Sequence, residues 1–281
     1  MQERALSLKS GGKTISCVPT MGFLHEGHLS LIRAARPAAD VLIVTIFVNP
    51  TQFGSSEDLS SYPRDLERDL ALCEKEGVDI VFAPATEDIY PEGYSTYVEE
   101  SDLSSGLCGA ARPGHFRGVT TVVAKLFNIV QPDSAFFGSK DYQQSRVIMK
   151  MVRDLNIPIK IEVCPIIREE DGLAMSSRNK NLDPDQRQEA LSLRRALLKA
   201  KELIKSGEAI APIIRKAMEE VIGSQPQARI DYIEFRDGET LKPVDRAGEG
   251  TLIALAVFIG QTRLIDNLIF RSKNNLDPGA R

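Results

Sequence analysis

Hydrophobic and polar positions along the first 180 residues follow two alternating patterns. Short β-branched runs at 14–18, 41–48, 79–82, 134–137 and 159–163 predict strands, the first closed by Pro19. Segments 29–39, 66–76, 119–130 and 142–155 read as helices, and Gly77 ends the second of them. Residues 41–48 are apolar almost without interruption, as in a strand covered on both faces. This alternation argues for parallel βαβ units. The predicted fold class is α/β, a doubly wound parallel sheet with ligands outside the carboxyl ends of its strands.

The pattern changes near Asn181. Asp183-Pro184-Asp185-Gln186 places a capping aspartate before a proline at the first helical position, and Gln186 completes a capping box. The helix begun there runs to about 206, and a second covers 209–223. Strand-like stretches follow at 229–235, 251–259 and 262–269, with Gly260-Gln261 predicting a tight hairpin between the last two. Residues 1–180 therefore read as a catalytic domain and 181–281 as a smaller α+β domain, suited to cover the open face of the first as a lid.

A length of 281 residues suits that division. The net charge of -4 lacks the basic excess of a non-specific nucleic-acid binder, so no nucleic-acid partner is expected. The longest apolar run, 252–260, is far short of the roughly 20 residues a membrane span needs, and the N-terminus carries no signal-peptide core. Cys17, Cys73, Cys108 and Cys164 are scattered without a C-x-x-C pair, and Cys17 and Cys164 sit in strand-like runs. Buried, reduced thiols and a cytoplasmic protein are the expectation.

The densest chemistry lies in Met21-Gly22-Phe23-Leu24-His25-Glu26-Gly27-His28, which holds two of the chain's three histidines. Its glycines let backbone approach a ligand, and a helix starting there would direct N–H groups outward. His25 and His28, three apart, would share one face of a first helical turn and donate to phosphate oxygens. A histidine pair holding a metal is the alternative, although the spacing is not that of the H-E-x-x-H zinc helix.

Gly138-Ser139-Lys140-Asp141 leaves a strand and enters a helix, where Lys140 offers a point charge for phosphate and Asp141 a helix cap or a ribose ligand. Gln143 and Gln144 follow as neutral amides. Met175-Ser176-Ser177-Arg178 supplies hydroxyls and a permanent cation, or else forms a polar interdomain linker. The polar loop 49–59 has a functional length and includes Gln52. Arg112, His115 and Arg117 form a basic cluster for an anion or a solvated loop. Asp65, Glu67 and Asp69 read equally as magnesium ligands or as an exposed acidic helix start.

Taken in order, Val18-Pro19-Thr20-Met21-Gly22, Leu24-His25-Glu26-Gly27-His28, Phe47-Val48-Asn49-Pro50, Gln52-Phe53-Gly54 and Tyr62-Pro63-Arg64 resemble the pantothenate synthetase (pantoate–β-alanine ligase) family. So do Arg112-Pro113, His115-Phe116, Gly118-Val119, Phe136-Phe137-Gly138, Lys140-Asp141-Tyr142-Gln143-Gln144 and 171–179. The resemblance covers almost the whole chain and implies a Rossmann-like nucleotidyltransferase fold. It implies that pantoate's carboxylate attacks the α-phosphate of ATP, and that β-alanine's amine then attacks the pantoyl adenylate. Carried over, ATP meets 21–28, Gly138, Ser139, Lys140, Asp141, Ile167, Met175, Ser176, Ser177 and Arg178. His28 is then the proton donor, with His25, Lys140, Ser176, Ser177 and Arg178 completing the catalytic set. Gln52 and Gln144 match the pantoate-binding glutamines, Gln52 also lying near β-alanine. Asp69 matches an acidic magnesium position, with Arg68 before it where the family's acidic pair would continue. Ser139 stands where the family often has glutamate, so that side chain is not expected to be essential. Mg²⁺ and a homodimer are implied as well. The rival readings are another histidine-motif nucleotidyltransferase and a non-catalytic nucleotide-binding regulator.

Overall fold

The computed structural model describes residues 1–54, 59–60 and 62–272; part of the loop expected at 49–59 lies outside them. In chain order the first elements are α1 (Gln2–Ser10), β1 (Ile15–Thr20), α2 (Glu26–Ala35), β2 (Val41–Ile46), α3 (Leu66–Lys75), β3 (Ile80–Phe82) and the single turns α4 (Thr86–Ile89) and α5 (Cys108–Ala111). Then come α6 (His115–Val130), β4 (Ser134–Gly138), α7 (Tyr142–Asp154) and β5 (Lys160–Cys164). The remainder holds α8 (Pro184–Lys205), α9 (Ala211–Gly223), β6 (Ala228–Asp237), β7 (Thr251–Ile259) and β8 (Thr262–Ile269). The described residues form two compact units: those within 1–139 together with 143–164, and 140–142 together with 165–272.

In the first unit the strands order as β3-β2-β1-β4-β5, all parallel. The order reverses between β1 and β4, the position where doubly wound sheets open a crevice beyond the carboxyl ends. Leu29, Ile32 and Ala35 of α2 pack on Val18, Leu42, Val44 and Phe136, so the helical stripe buries against the central strands. β1 continues through Pro19 instead of stopping there. Odd-numbered β1 residues turn their backbone groups toward the β4 side, as the Asp133 N–H to Ile15 carbonyl bond records. The β1–β4 register covers only Ser16 and Cys17, so the ladder has ended before proline's missing N–H would be needed.

In the second unit β6-β7-β8 form an antiparallel sheet. β7 is central and buried along nearly its whole length, and α8 and α9 bury Leu193, Leu197, Ile214 and Met218 in the same core as Ile253 and Leu255. The β7–β8 hairpin closes at Ile259 and Thr262 as the sequence predicts. Asp183, Pro184 and Gln186 form the expected cap and box at the start of α8.

Among the described residues no helix is long and apolar enough to cross a membrane. No disulfide joins the four cysteines. Cys17 is fully buried and its thiol is pushed up to about 12 by desolvation, whereas Cys164 is only partly buried.

Candidate active site

Beyond the end of β1 the chain turns through two consecutive left-handed residues, Gly22 (φ 78) and Phe23 (φ 50). A side chain at Gly22 would be strained by that φ, and its Cβ would lie 2.9 Å from Ile46 Cγ2 and 3.0 Å from Asp69 Oδ2. Helix α2 then starts differently from the sequence expectation. His25 is not in the first turn but caps it, with extended backbone (φ -137, ψ 174). Its Nδ1 accepts from the Gly27 N–H at 3.1 Å, while His28 Nδ1 accepts from the His25 N–H at 3.3 Å. This is a capping box built from two imidazoles, with ring centroids 4.1 Å apart. An Nδ1 that accepts a backbone N–H has no proton, so each neutral ring carries its hydrogen on Nε2. The expected outward-facing helix amides are partly committed, because the imidazoles take two of them. The donors suited to an anion are the Nε2–H groups.

Asp69, expected as an exposed acid or magnesium ligand, is 1% exposed. Its Oδ2 accepts from the Phe23 N–H at 2.7 Å and its Oδ1 from the Leu24 N–H at 2.8 Å. The Arg68 guanidinium approaches Oδ1 at 3.7 Å. Burial pushes the carboxyl up, against the lowering effect of those bonds. Both oxygens are occupied and closed to solvent, and among the described residues no group of three acidic, histidine or cysteine side chains could hold a metal. The arrangement does not fit a protein-held magnesium at Asp69.

After β2, Asn49 caps a short 3₁₀ turn, Pro50–Gln52. Its Oδ1 accepts from the Thr51 N–H, the Thr51 hydroxyl and the Tyr90 hydroxyl, while its Nδ2 donates to Gln52 Oε1 and to the Gly118 carbonyl, each at 3.1 Å. Helix α6 comes so close that a Cβ on Gly118 would lie 2.3 Å from the Thr51 carbonyl oxygen, which demands glycine. Gln52 Nε2 donates to Met21 Sδ at 3.0 Å, so two segments predicted to bind substrate do meet. Arg112 and His115 do not form an anion cluster with Arg117. Arg112 donates to His115 Nε2 at 3.1 Å, which leaves the His115 proton on Nδ1 to bond the Gln52 carbonyl at 2.8 Å. Arg117 instead lies over the Tyr97 ring, 4.1 Å from its centroid. Sequence reasoning did not assign Asn49 and His115 these supporting roles; Asn before Pro in an N-Pro-Thr turn was the one local signal for the first.

At the start of α7 the two glutamines separate. Gln143 is buried, donating to the Leu103 and Gly106 carbonyls and accepting from the Cys108 N–H. Gln144 is half-buried and makes no side-chain hydrogen bond among the described residues.

In the second unit, Lys140 and Tyr142 are tied down through the Asn267 Nδ2 bond to the Lys140 carbonyl (2.9 Å) and the Tyr142 hydroxyl bond to the Gly238 carbonyl (2.7 Å). Lys140 Nζ lies 4.0 Å from Asp141. A tight antiparallel turn pairs Arg168 with Ala174, and the Met175 N–H donates to the Ile167 carbonyl at 3.0 Å, which brings Ile167 beside 175–178. Arg168 forks onto the buried Asp266 carboxylate at 2.7 and 2.9 Å. Arg187 joins Glu169 and Asp171 at 2.8 and 2.6 Å. Desolvation opposes the charged forms, but hydrogen bonds, chiefly from Arg187, hold both carboxyls below their ordinary values. Ser176 Oγ caps the following 3₁₀ turn by accepting from the Arg178 N–H at 3.2 Å, and Asn179 braces the turn through Glu169 and the Ala174 carbonyl.

The parallel sheet, its reversal point and the histidine-capped helix beyond β1 define a Rossmann-like α/β protein. A family model described as pantoate-beta-alanine ligase matches residues 1–269. Pantothenate synthetase of Moorella thermoacetica is 62% identical over 258 residues, 92% of this chain and 91% of that protein. A crystal structure of pantothenate synthetase from Thermus thermophilus matches with a TM-score of 0.89 at 47% identity, over 94% of this chain and 97% of that one. A pantoate-beta-alanine ligase from Francisella tularensis, complexed with beta-gamma ATP and beta-alanine, matches with a TM-score of 0.79 at 36% identity over 95% of each chain. This chain belongs to the pantoate–β-alanine ligase family, ligases that form pantothenate with ATP.

Proposed function

We propose that this chain joins pantoate to β-alanine in two steps. A pantoate carboxylate oxygen bonds to the α-phosphorus of ATP as the bond to the bridging oxygen of pyrophosphate breaks. The β-alanine nitrogen then bonds to the acyl carbon, AMP leaves with the carboxylate oxygen, and the amine loses a proton. Neither step needs a covalent enzyme nucleophile; positioning and charge stabilisation suffice.

ATP is held by residues 21–28, Gly138, Ser139, Lys140, Asp141, Ile167, Met175, Ser176, Ser177 and Arg178. His28 donates from Nε2–H to the phosphate oxygens as charge develops, with His25 beside it. Lys140, Ser176, Ser177 and Arg178 supply further positive charge and donors. Gln52 and Gln144 hold pantoate, and Gln52 also faces β-alanine. The observation carrying this reading is the two-imidazole capping box, which fixes both rings in the Nε2–H tautomer. Gln144, with an amide unused among the described residues, suits a substrate hydroxyl or carboxylate. Any magnesium enters with the nucleotide, since Asp69 does not fit as its ligand. The protein works as a cytoplasmic homodimer. Pantoate-dependent exchange of pyrophosphate into ATP, without β-alanine, is the test; an ATP-binding sample that shows none would overturn the adenylate reading.

A further inference from the structure

We propose that Asp69 is a positioning residue for adenylation, fixing the backbone turn that sets the two imidazoles. The inference rests on the role given to His28 above. Asp69 does not cap its own helix, because Asp65 already accepts from the Arg68 N–H. Its two oxygens reach instead across 46 and 45 residues of sequence to Phe23 and Leu24. Those N–H groups belong to a turn with φ 78 at Gly22 and φ 50 at Phe23, a conformation a non-glycine residue rarely holds without support. One carboxylate taking two successive amides fixes the orientation of both peptide planes. Leu24 leads directly into His25, so the direction in which α2 starts follows from that grip. A close Gly22–Asp69 approach completes the fit, with a Cβ position 3.0 Å from Oδ2. A buried charge costs free energy unless its bonds are complete, and an asparagine would put an NH2 group, which cannot accept, in place of one of the two oxygens that now take the Phe23 and Leu24 amides.

The test uses the full chain and compares wild type with Asp69→Asn and Asp69→Ala in pantoate-dependent ATP–pyrophosphate exchange. Loosening the turn by about 1 Å predicts a kcat loss of about 100-fold in Asp69→Ala, with less in Asp69→Asn. KM for ATP and pantoate should move within a few-fold, and the Mg²⁺ concentration for half-maximal rate should not move. An unchanged kcat in a folded Asp69→Ala protein, or recovery of either variant in excess Mg²⁺, overturns the proposal. Amide hydrogen exchange on wild type decides the matter even where the variants do not fold. Phe23 and Leu24 should exchange slowly, and rapid exchange at both shows that no clamp exists. Absence of pantoate-dependent exchange in wild type would sink the adenylate reading instead, while the protection measurement still reports on the clamp.

Discussion

The turn at 21–28 and the turn at 167–179 both hold candidate ATP-binding residues, but they are braced in different ways. In the first, the braces are a buried carboxylate and two uncharged imidazoles acting on backbone N–H groups. In the second, they are charged pairs: a buried Arg168–Asp266 fork and a partly exposed Arg187–Glu169–Asp171 network. The first arrangement fixes donor direction and tautomer, which chemistry at a phosphorus atom requires. The second fixes a cationic segment while leaving part of its support open to acid and salt.

The largest effect that would separate the two is at His28. His28→Ala should lower kcat for adenylate formation by about 10²–10³-fold, the usual range for loss of one fixed hydrogen-bond donor to transition-state charge, with a much smaller rise in ATP Kd. Equal losses in both would reduce His28 to a binding residue and remove the distinction.

Next comes the buried fork of the second turn. Arg168→Ala leaves the Asp266 carboxylate, almost entirely buried, without its partner. Breaking such a pair costs about 3–5 kcal/mol, so chemical denaturation should show a loss of that order; a loss under about 1 kcal/mol would mean the fork is not a support. His115→Ala should be milder. It removes the Nδ1–H donor from the Gln52 carbonyl, which keeps the Arg112 guanidinium at 3.3 Å, so the cost should be about 0.5–1.5 kcal/mol; on the proposed role of Gln52, KM for pantoate should rise more than KM for ATP.

Smallest is the network around Arg187. Glu169 and Asp171 have folded-state pKa values below their unfolded ones, so their contribution is complete above the unfolded values and is lost as pH falls through the folded ones. Thermal midpoints should therefore drop on acidification below the carboxylate range, and Arg187→Ala, costing about 1 kcal/mol or less at neutral pH, should flatten that drop. An identical acid profile in the variant would exclude this network as a source of the pH dependence.

The same contrast explains what the sequence could reveal. Features set by neighbours in the chain were legible: the α8 capping box, the β7–β8 hairpin, and the apolar run of β2. Helix α1 was not, because its apolar residues form no stripe and only Ala5 is buried. Helix α6 begins at His115, four residues before the predicted start, after a left-handed Gly114 that local periodicity does not register. The motif at 21–28 could be read, but its support could not. Nothing near Asp69 or His115 indicates that they turn inward to residues 23, 24 and 52, since those contacts are made only by the tertiary fold. Gln143 and Gln144 looked alike in sequence and part company for the same reason.

Three histidines make the central claim directly measurable by ¹⁵N NMR of the imidazole rings at neutral pH. The two-imidazole cap predicts the Nε2–H tautomer for His25 and His28, and the Arg112 contact predicts the Nδ1–H tautomer for His115. Finding Nδ1–H at His28 would contradict the account, because the ring would then have its proton on the nitrogen said to accept the His25 amide.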